Sequence, residues 1–165
     1  MSAVRVGQGM DVHAFAPEDD DRPLVLCGVT IPGVPGLVGH SDADAVYHAV
    51  ADALLGAAAL GDLGGRFGVD RPELADADSA DLLATVVADV AAASWAIGNL
   101  DVTIVAQRPR LAGHREAMRG NLARVCHLDV GAVSVKFTTT DHLGALGRGE
   151  GVLALATCLL VVRQG

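Results

Sequence analysis

The sequence is poor in aromatic side chains and in lysine: the rings are Phe15, Tyr47, Phe67, Trp95 and Phe137, and Lys136 is alone in 165 residues. So few rings build no base-stacking platform, and a formal net charge of −8 with no long Lys/Arg run leaves no positive stripe for a phosphate backbone. DNA and RNA are excluded as partners on these grounds. Uninterrupted apolar runs are lacking too. The longest stretch free of Asp, Glu, Lys and Arg, from Pro23 to Ser41, holds three prolines and several glycines and cannot form a membrane-spanning helix. The amino-terminal end carries only Arg5 and no apolar secretory segment, so the sequence predicts a soluble, cytoplasmic protein with no membrane partner. Cys27, Cys126 and Cys158 are odd in number, far apart and set among apolar residues, which suits reduced core thiols rather than a disulfide framework or a Cys-type zinc site.

What is present suffices for one core. With 51% apolar and 19% charged residues, a chain of 165 residues folds as a single domain, 1–165, that buries roughly 70% of its unfolded surface. Residues 3–13 and 23–31 have the β-branched, partly alternating pattern of strands, joined by an acidic loop at Glu18–Asp21, and 32–39 reads as a Gly/Pro loop. Ser41 to Asp44 has capping-box spacing ahead of an Ala/Leu-rich helix that runs to about Leu60 and stops at Gly61 and Gly64. A second helix starts at Ser79 and runs through the apolar segment to Ile97. A strand over about 100–106, a helix over 112–126, and strands over 131–138 and 152–162 complete the order. That order predicts an α+β two-layer sandwich: one mostly antiparallel or mixed sheet with helices on one face.

Chemistry concentrates in three places. Asp11 and His13, two residues apart on a strand, point to the same face. Asp44, His48 and Asp52 recur at helical spacing on an otherwise apolar helix, either as a solvent-facing stripe or as groups that are paired or metal-bound. Asp11, His13 and His48 together form a three-ligand set with a fourth tetrahedral position left open, as in catalytic zinc sites, and Asp52 or Asp44 could support an imidazole N–H. Between Thr138 and Gly151, three threonines and clustered glycines offer hydroxyl and backbone donors to a phosphate, or form an ordinary strand end and turn.

Four blocks in this order resemble one family closely. They are G-x-G-x-D-V-H-A-F over 7–15, H-S-D-x-D-x-x-x-H-A-x-x-D-A-L-L-G-A-A-A-L-G-D-L-G over 40–64, D-V-T-I-V-A-Q-R-P over 101–109 and T-T-T-x-x-L-G-x-x-G-R-G-E-G over 138–151. The sequence resembles the 2-C-methyl-D-erythritol 2,4-cyclodiphosphate synthases of the non-mevalonate isoprenoid pathway over almost its whole length. The resemblance implies a homotrimer with active sites between subunits. It also implies conversion of 4-diphosphocytidyl-2-C-methyl-D-erythritol 2-phosphate into the cyclic diphosphate with release of CMP.

By the same resemblance, Asp11, His13 and His48 would hold one Zn2+ or another divalent ion per subunit, with Asp11 and His13 also bordering the substrate. His40 and Thr139 would be the catalytic stabilisers. Ser41 would lie at the phosphates, Asp62, Leu63 and Gly64 at the methylerythritol unit, and Phe67 and Asp70 on a loop beside it. Ala106, Pro109, Arg110, Leu111, Ala112 and Thr138 would shape the cytidine pocket. Thr140 and Asp141 would face the diphosphate, with Asp141 as a ligand of a second ion, Mg2+ or Mn2+. Arg148 would lie near the trimer axis, where an isoprenoid diphosphate could sit.

The chain departs from the usual family pattern at Asp141 and His142, which stand where Glu and Lys are common, at 67–71, at Arg110, and at Met10 and Ala145, where Phe is frequent. Two other functions fit the same ligand set. A zinc phosphohydrolase would incorporate solvent oxygen into its product, and a non-catalytic metabolite-binding module would bind without turnover.

Overall fold

A computed structural model describes residues 4–17, 19–39, 42–68 and 78–163. The first strand, β1 (Val4–Ala14), alternates from Val6 onward: Gly7, Gly9, Asp11 and His13 face inward, while Val6, Gln8, Met10 and Val12 are exposed. The next apolar run is two strands, not the single one the sequence suggests. β2 (Pro23–Leu26) and β3 (Val29–Pro35) pair antiparallel around Cys27 and Gly28, both with positive φ, as a two-residue hairpin turn requires. β3 also takes in part of the stretch read as a loop.

Helix α1 (Ala45–Ala58) is capped by Asp44, whose Oδ1 accepts the Val46 and Tyr47 backbone N–H groups at 3.1 and 3.3 Å. The expected cap at Ser41 lies outside the described residues, and Asp44 itself does that work. Helix α2 (Leu63–Phe67) follows, capped by Asp62. Helix α3 (Ser79–Ala92) ends earlier than its Ala-rich sequence predicts. Ser94 turns with a positive φ of 67°, and β4 (Trp95–Val105) begins where the sequence still reads as helical. The reason is tertiary: Trp95, Ala96 and Ile97 pair with Val162, Val161 and Leu160, and that ladder overrides local helix propensity.

Helix α4 (Arg115–Val125) crosses from β4 to β5 (Val133–Thr138), and the short α5 (Gly144–Gly147) leads into β6 (Gly151–Val162). The sheet order is β1-β6-β4-β5, antiparallel except for the β4/β5 pair that α4 connects. Helix α1 rests on β1 and β6, α3 on α1 and β4, and α4 on β5, so the predicted α+β two-layer arrangement with a mixed sheet is what forms. The core lies between the layers, with Leu54, Leu55, Leu83, Met118, Leu122 and Leu160 fully buried. Among the described residues no helix is long and apolar enough to cross a membrane.

Two features of the sheet bear on the site. Its outer face is apolar along β1 and β6: Val6 opposes Leu159, Met10 opposes Leu155 and Val12 opposes Leu153, and Val4, Val6, Met10 and Val12 are each more than half exposed. A single row also crosses all four strands, Val12 to Leu153 to Val105 to Thr138. Three interstrand steps separate its ends by about 14 Å.

Candidate metal centre and nucleotide pocket

Asp11, His13 and His48 come together because α1 lies directly against the backbone of β1. A Cβ on Gly9 would stand 2.6 Å from the Ala53 nitrogen and overlap the Ala49 carbonyl oxygen, and one on Gly7 would stand 2.8 Å from Ala57 Cβ. Asp44 fixes where along the strand the helix starts, because its Oδ2 accepts the Gly28 N–H at 2.7 Å and ties α1 to the hairpin turn. Burial pushes the Asp44 carboxyl up to about 6 against the pull of these backbone donors. One helical turn on, His48 arrives beside the inward face of β1.

There the Asp11 Oδ2 lies 3.0 Å from His48 Nδ1 and 2.8 Å from His13 Nε2, and one ligand atom from each residue falls within 4.8 Å of the other two. The imidazole rings are 5.7 Å apart between centroids and tilted by 54°. His13 Nδ1 is 2.6 Å from the Val38 carbonyl oxygen, so that nitrogen donates and Nε2 presents its lone pair inward. His13 Nε2 is buried and makes no aligned hydrogen bond, its approach to Asp11 being too oblique. A buried nitrogen without a hydrogen bond, turned toward a second imidazole and a carboxylate, fits a divalent cation of the zinc type. Burial raises the Asp11 carboxyl, but the two imidazoles outweigh it and hold the group well below the usual carboxylate range. Asp11 in turn lifts His13 above its ordinary value against the effect of burial.

The predicted support for the imidazoles from Asp44 or Asp52 is not found. Positions four apart on a helix drift around its axis, and both carboxylates are engaged elsewhere: Asp44 at the cap and hairpin, Asp52 accepting the Leu63 N–H at 2.7 Å. Sequence reasoning also missed Arg22. Its Nη1 donates to the Leu37 and Gly39 carbonyls, at 3.2 and 2.8 Å, on either side of the Val38 carbonyl that holds His13. Arg22→Ala is expected to leave the secondary structure intact and weaken metal affinity, by less than the roughly 10–100-fold that follows loss of a direct outer partner. Competition with a chelating dye reads this directly, and unchanged affinity would assign Arg22 to loop stability alone.

A second group of predicted residues gathers at the opposite edge of the sheet. Ala106, Pro109, Arg110, Leu111, Ala112, Thr138 and Thr139 line a cavity of 370 Å³, together with Ile104, Gln107 and Phe137. Beyond it the chain turns sharply: Asp141 and His142 have positive φ of 49° and 64°, the Asp141 N–H donates to Thr139 Oγ1 at 3.2 Å, and the His142 N–H donates to Gln107 Oε1 at 3.2 Å. The Thr140 hydroxyl donates to the Leu143 carbonyl at 2.7 Å. Asp62 accepts the Gly65 N–H as the α2 cap, with Leu63, Gly64 and Phe67 on that short helix, and Arg148 pairs with Glu150. His40, Ser41 and Asp70 lie outside the described residues. Among the described residues no hydrogen bond or ion pair joins the metal group to the cavity group.

Fold and site define an α+β protein with a His/His/Asp cluster able to hold a divalent cation, a cavity at the opposite sheet edge and a threonine-lined turn. Residues 4–161 match the YgbB family. The chain is 54% identical over 156 residues to the 2-C-methyl-D-erythritol 2,4-cyclodiphosphate synthase of Chromobacterium violaceum, covering 94% of this chain and 97% of that one. It is 50% identical over 156 residues to the enzyme of that name from Geobacillus kaustophilus, again covering 94% and 97%. Among solved structures, IspF of Plasmodium falciparum in complex with CDP superposes with a TM-score of 0.86 at 31% identity, covering 98% of each chain. Bifunctional IspDF from Campylobacter jejuni gives 0.93 at 37% identity, with 98% of this chain spanning 43% of that longer one. The chain belongs to the 2-C-methyl-D-erythritol 2,4-cyclodiphosphate synthase (YgbB) family.

Proposed function

We propose that this chain converts 4-diphosphocytidyl-2-C-methyl-D-erythritol 2-phosphate into 2-C-methyl-D-erythritol 2,4-cyclodiphosphate with release of CMP. The observation that carries the reading is the pairing, in a chain of this family, of an Asp11/His13/His48 triad with a 370 Å³ cavity ending at Thr138 and Thr139. An oxygen of the 2-phosphate bonds to the β-phosphorus, and the bond from that phosphorus to the bridging oxygen breaks. CMP leaves with the electron pair.

The chain's own task is to hold two anions in line and offset their charge. The cavity grips the cytidine end, and Thr139 lies where the diphosphate would emerge. His40 and Ser41 are assigned to the phosphates, and Asp62 to the methylerythritol hydroxyls. A zinc ion held by Asp11, His13 and His48 would supply Lewis-acid charge and a template, since the nucleophile is already anionic. Asp141 is the residue that would hold Mg2+ or Mn2+, which would supply further charge neutralisation for the diphosphate.

The homotrimer belongs to the same proposal. In one chain the triad sits at the β1 edge of the sheet and the cavity at the β5 edge, and a neighbouring copy that set its triad against this cavity would complete the site. The apolar outer surface of β1 and β6 supports such an assembly. Arg148, repeated around the axis beside Met10 and Ala145, would then offer an isoprenoid diphosphate its charge partner.

The test is CMP release in water enriched in heavy oxygen, with mass analysis of the second product. A cyclic diphosphate free of solvent oxygen is expected. A linear product carrying the label would make the protein a phosphohydrolase, and binding without turnover would make it a carrier.

A further inference from the structure

The outer partner of His48 is a serine from another helix. His48 Nδ1 faces Asp11, while its Nε2 lies 3.0 Å from Ser79 Oγ, and the Ser79 hydroxyl makes a very short hydrogen bond to Asp42 Oδ1. Asp42 is held in turn: Oδ2 accepts the Ser79 N–H at 3.3 Å, and Oδ1 accepts the Asp44 N–H at 3.2 Å. Ser79 is almost fully buried, so water does not compete for its hydroxyl. It is the first residue of α3, and Asp78, not Ser79, caps that helix by accepting the Ala80 N–H at 2.8 Å. The hydroxyl is therefore spared the helix-capping role that usually explains a serine at a helix start.

We infer that Ser79 and Asp42 are positioning residues for the metal centre, acting in series on His48. The inference rests on the reading of Asp11, His13 and His48 as metal ligands. A ligating Nδ1 carries no proton, so Nε2 must, and the chain of contacts has only one consistent direction: Nε2–H donates to Ser79 Oγ, and the Ser79 O–H donates to Asp42. A hydroxyl that accepts and donates at once polarises both bonds, so the carboxylate reaches the imidazole through it and makes Nδ1 a better electron donor. The two imidazoles are thus oriented by different means, His13 by a main-chain carbonyl and His48 by a side-chain relay that also ties the start of α3 to the centre.

The test is zinc affinity measured by chelator competition on purified full-length protein, with the visible absorption of the cobalt(II)-loaded form as a second readout. Ser79→Ala is expected to bind zinc about 10–100-fold more weakly than wild type and to shift the cobalt bands, while Ser79→Thr, which keeps the hydroxyl, stays tighter than Ser79→Ala. Asp42→Asn weakens binding on its own, but Ser79→Ala/Asp42→Asn is no weaker than Ser79→Ala, because Asp42 acts through the hydroxyl. Ser79→Ala affinity within about twofold of wild type, or a double variant whose loss is the product of the single losses, would overturn the inference. If circular dichroism shows Ser79→Ala unfolded, Asp42→Asn and Ser79→Thr decide: wild-type affinity in Asp42→Asn rejects the relay, and weakened affinity there with tight binding in Ser79→Thr supports it. Wild-type protein that binds no zinc removes the metal centre and the relay together, whereas tight binding in wild type and Ser79→Ala alike removes the relay alone.

Discussion

Metal content is expected to fall from one ion per chain to near zero, and CMP release to drop by about 1,000-fold or more, in purified Asp11→Ala and in His48→Ala. The triad has three members, and a cation of the zinc type held by two side chains exchanges its remaining bonds with water. Charge stabilisation by a Lewis acid is worth several kcal/mol, and about 4 kcal/mol corresponds to that thousandfold loss. Asp11 is the more damaging site. Its Oδ2 is the carboxylate oxygen shared by both imidazoles, and removing it leaves two basic rings facing each other without an anion between them. Metal analysis with turnover on the same preparations checks both halves of this expectation. Wild-type zinc content and turnover in both variants would refute the assignment.

The second large effect is structural. Gly9→Val is expected to cost about 3 kcal/mol or more in the metal-free protein and to abolish the metal site in whatever folded fraction remains. The atoms a new side chain would strike are the Ala49 carbonyl and the Ala53 nitrogen, both part of the α1 backbone, so no rotamer change relieves the clash. The helix must lift, and His48 lifts with it, away from Asp11 and His13. Gly56 is the internal control. It lies in the same helix, exposed, with open space around it, and Gly56→Ala should stabilise by about 0.5–1 kcal/mol through helix propensity. Urea unfolding of the two variants, expected to move the midpoint in opposite directions, separates contact from propensity. Equal and small shifts would mean that β1 and α1 are not in the close contact described.

Much of this site is legible in the sequence, for a physical reason that differs from residue to residue. Asp11 and His13 announce a shared face by strand alternation, and His48 announces itself as a polar group on a helix otherwise fit for burial. Their convergence is readable as a His/His/Asp ligand set, but the close approach that achieves it is not, because it depends on Gly7 and Gly9, whose contribution is the space they leave empty. Ser79 reads as an ordinary helix start, and only the packing of α3 on α1 carries it to His48. Arg22 sits in an acidic turn that looks merely solvated. Where the reading of elements failed, long-range pairing decided: Ala93 to Ile97 carries helix-favouring residues, yet the edge of β6 claims it for β4. The hairpin turn at Cys27 was hidden because cysteine gives no turn signal, and there Gly28 alone is characteristic.

The row from Val12 to Thr138 has a genetic consequence. If each working site joins the β1 edge of one subunit to the β5 edge of another, an allele damaged at His48 and an allele damaged at Thr139 are not defective in the same place. Subunits made together in one cell mix, and in random mixing about a quarter of the junctions pair an intact edge with an intact edge. Two alleles that each fail alone would then support growth together, whereas two alleles damaged at the same edge would not. In such an assembly selection would act on junctions between subunits, so harmful changes at one edge would be masked by a second gene copy that is itself inactive.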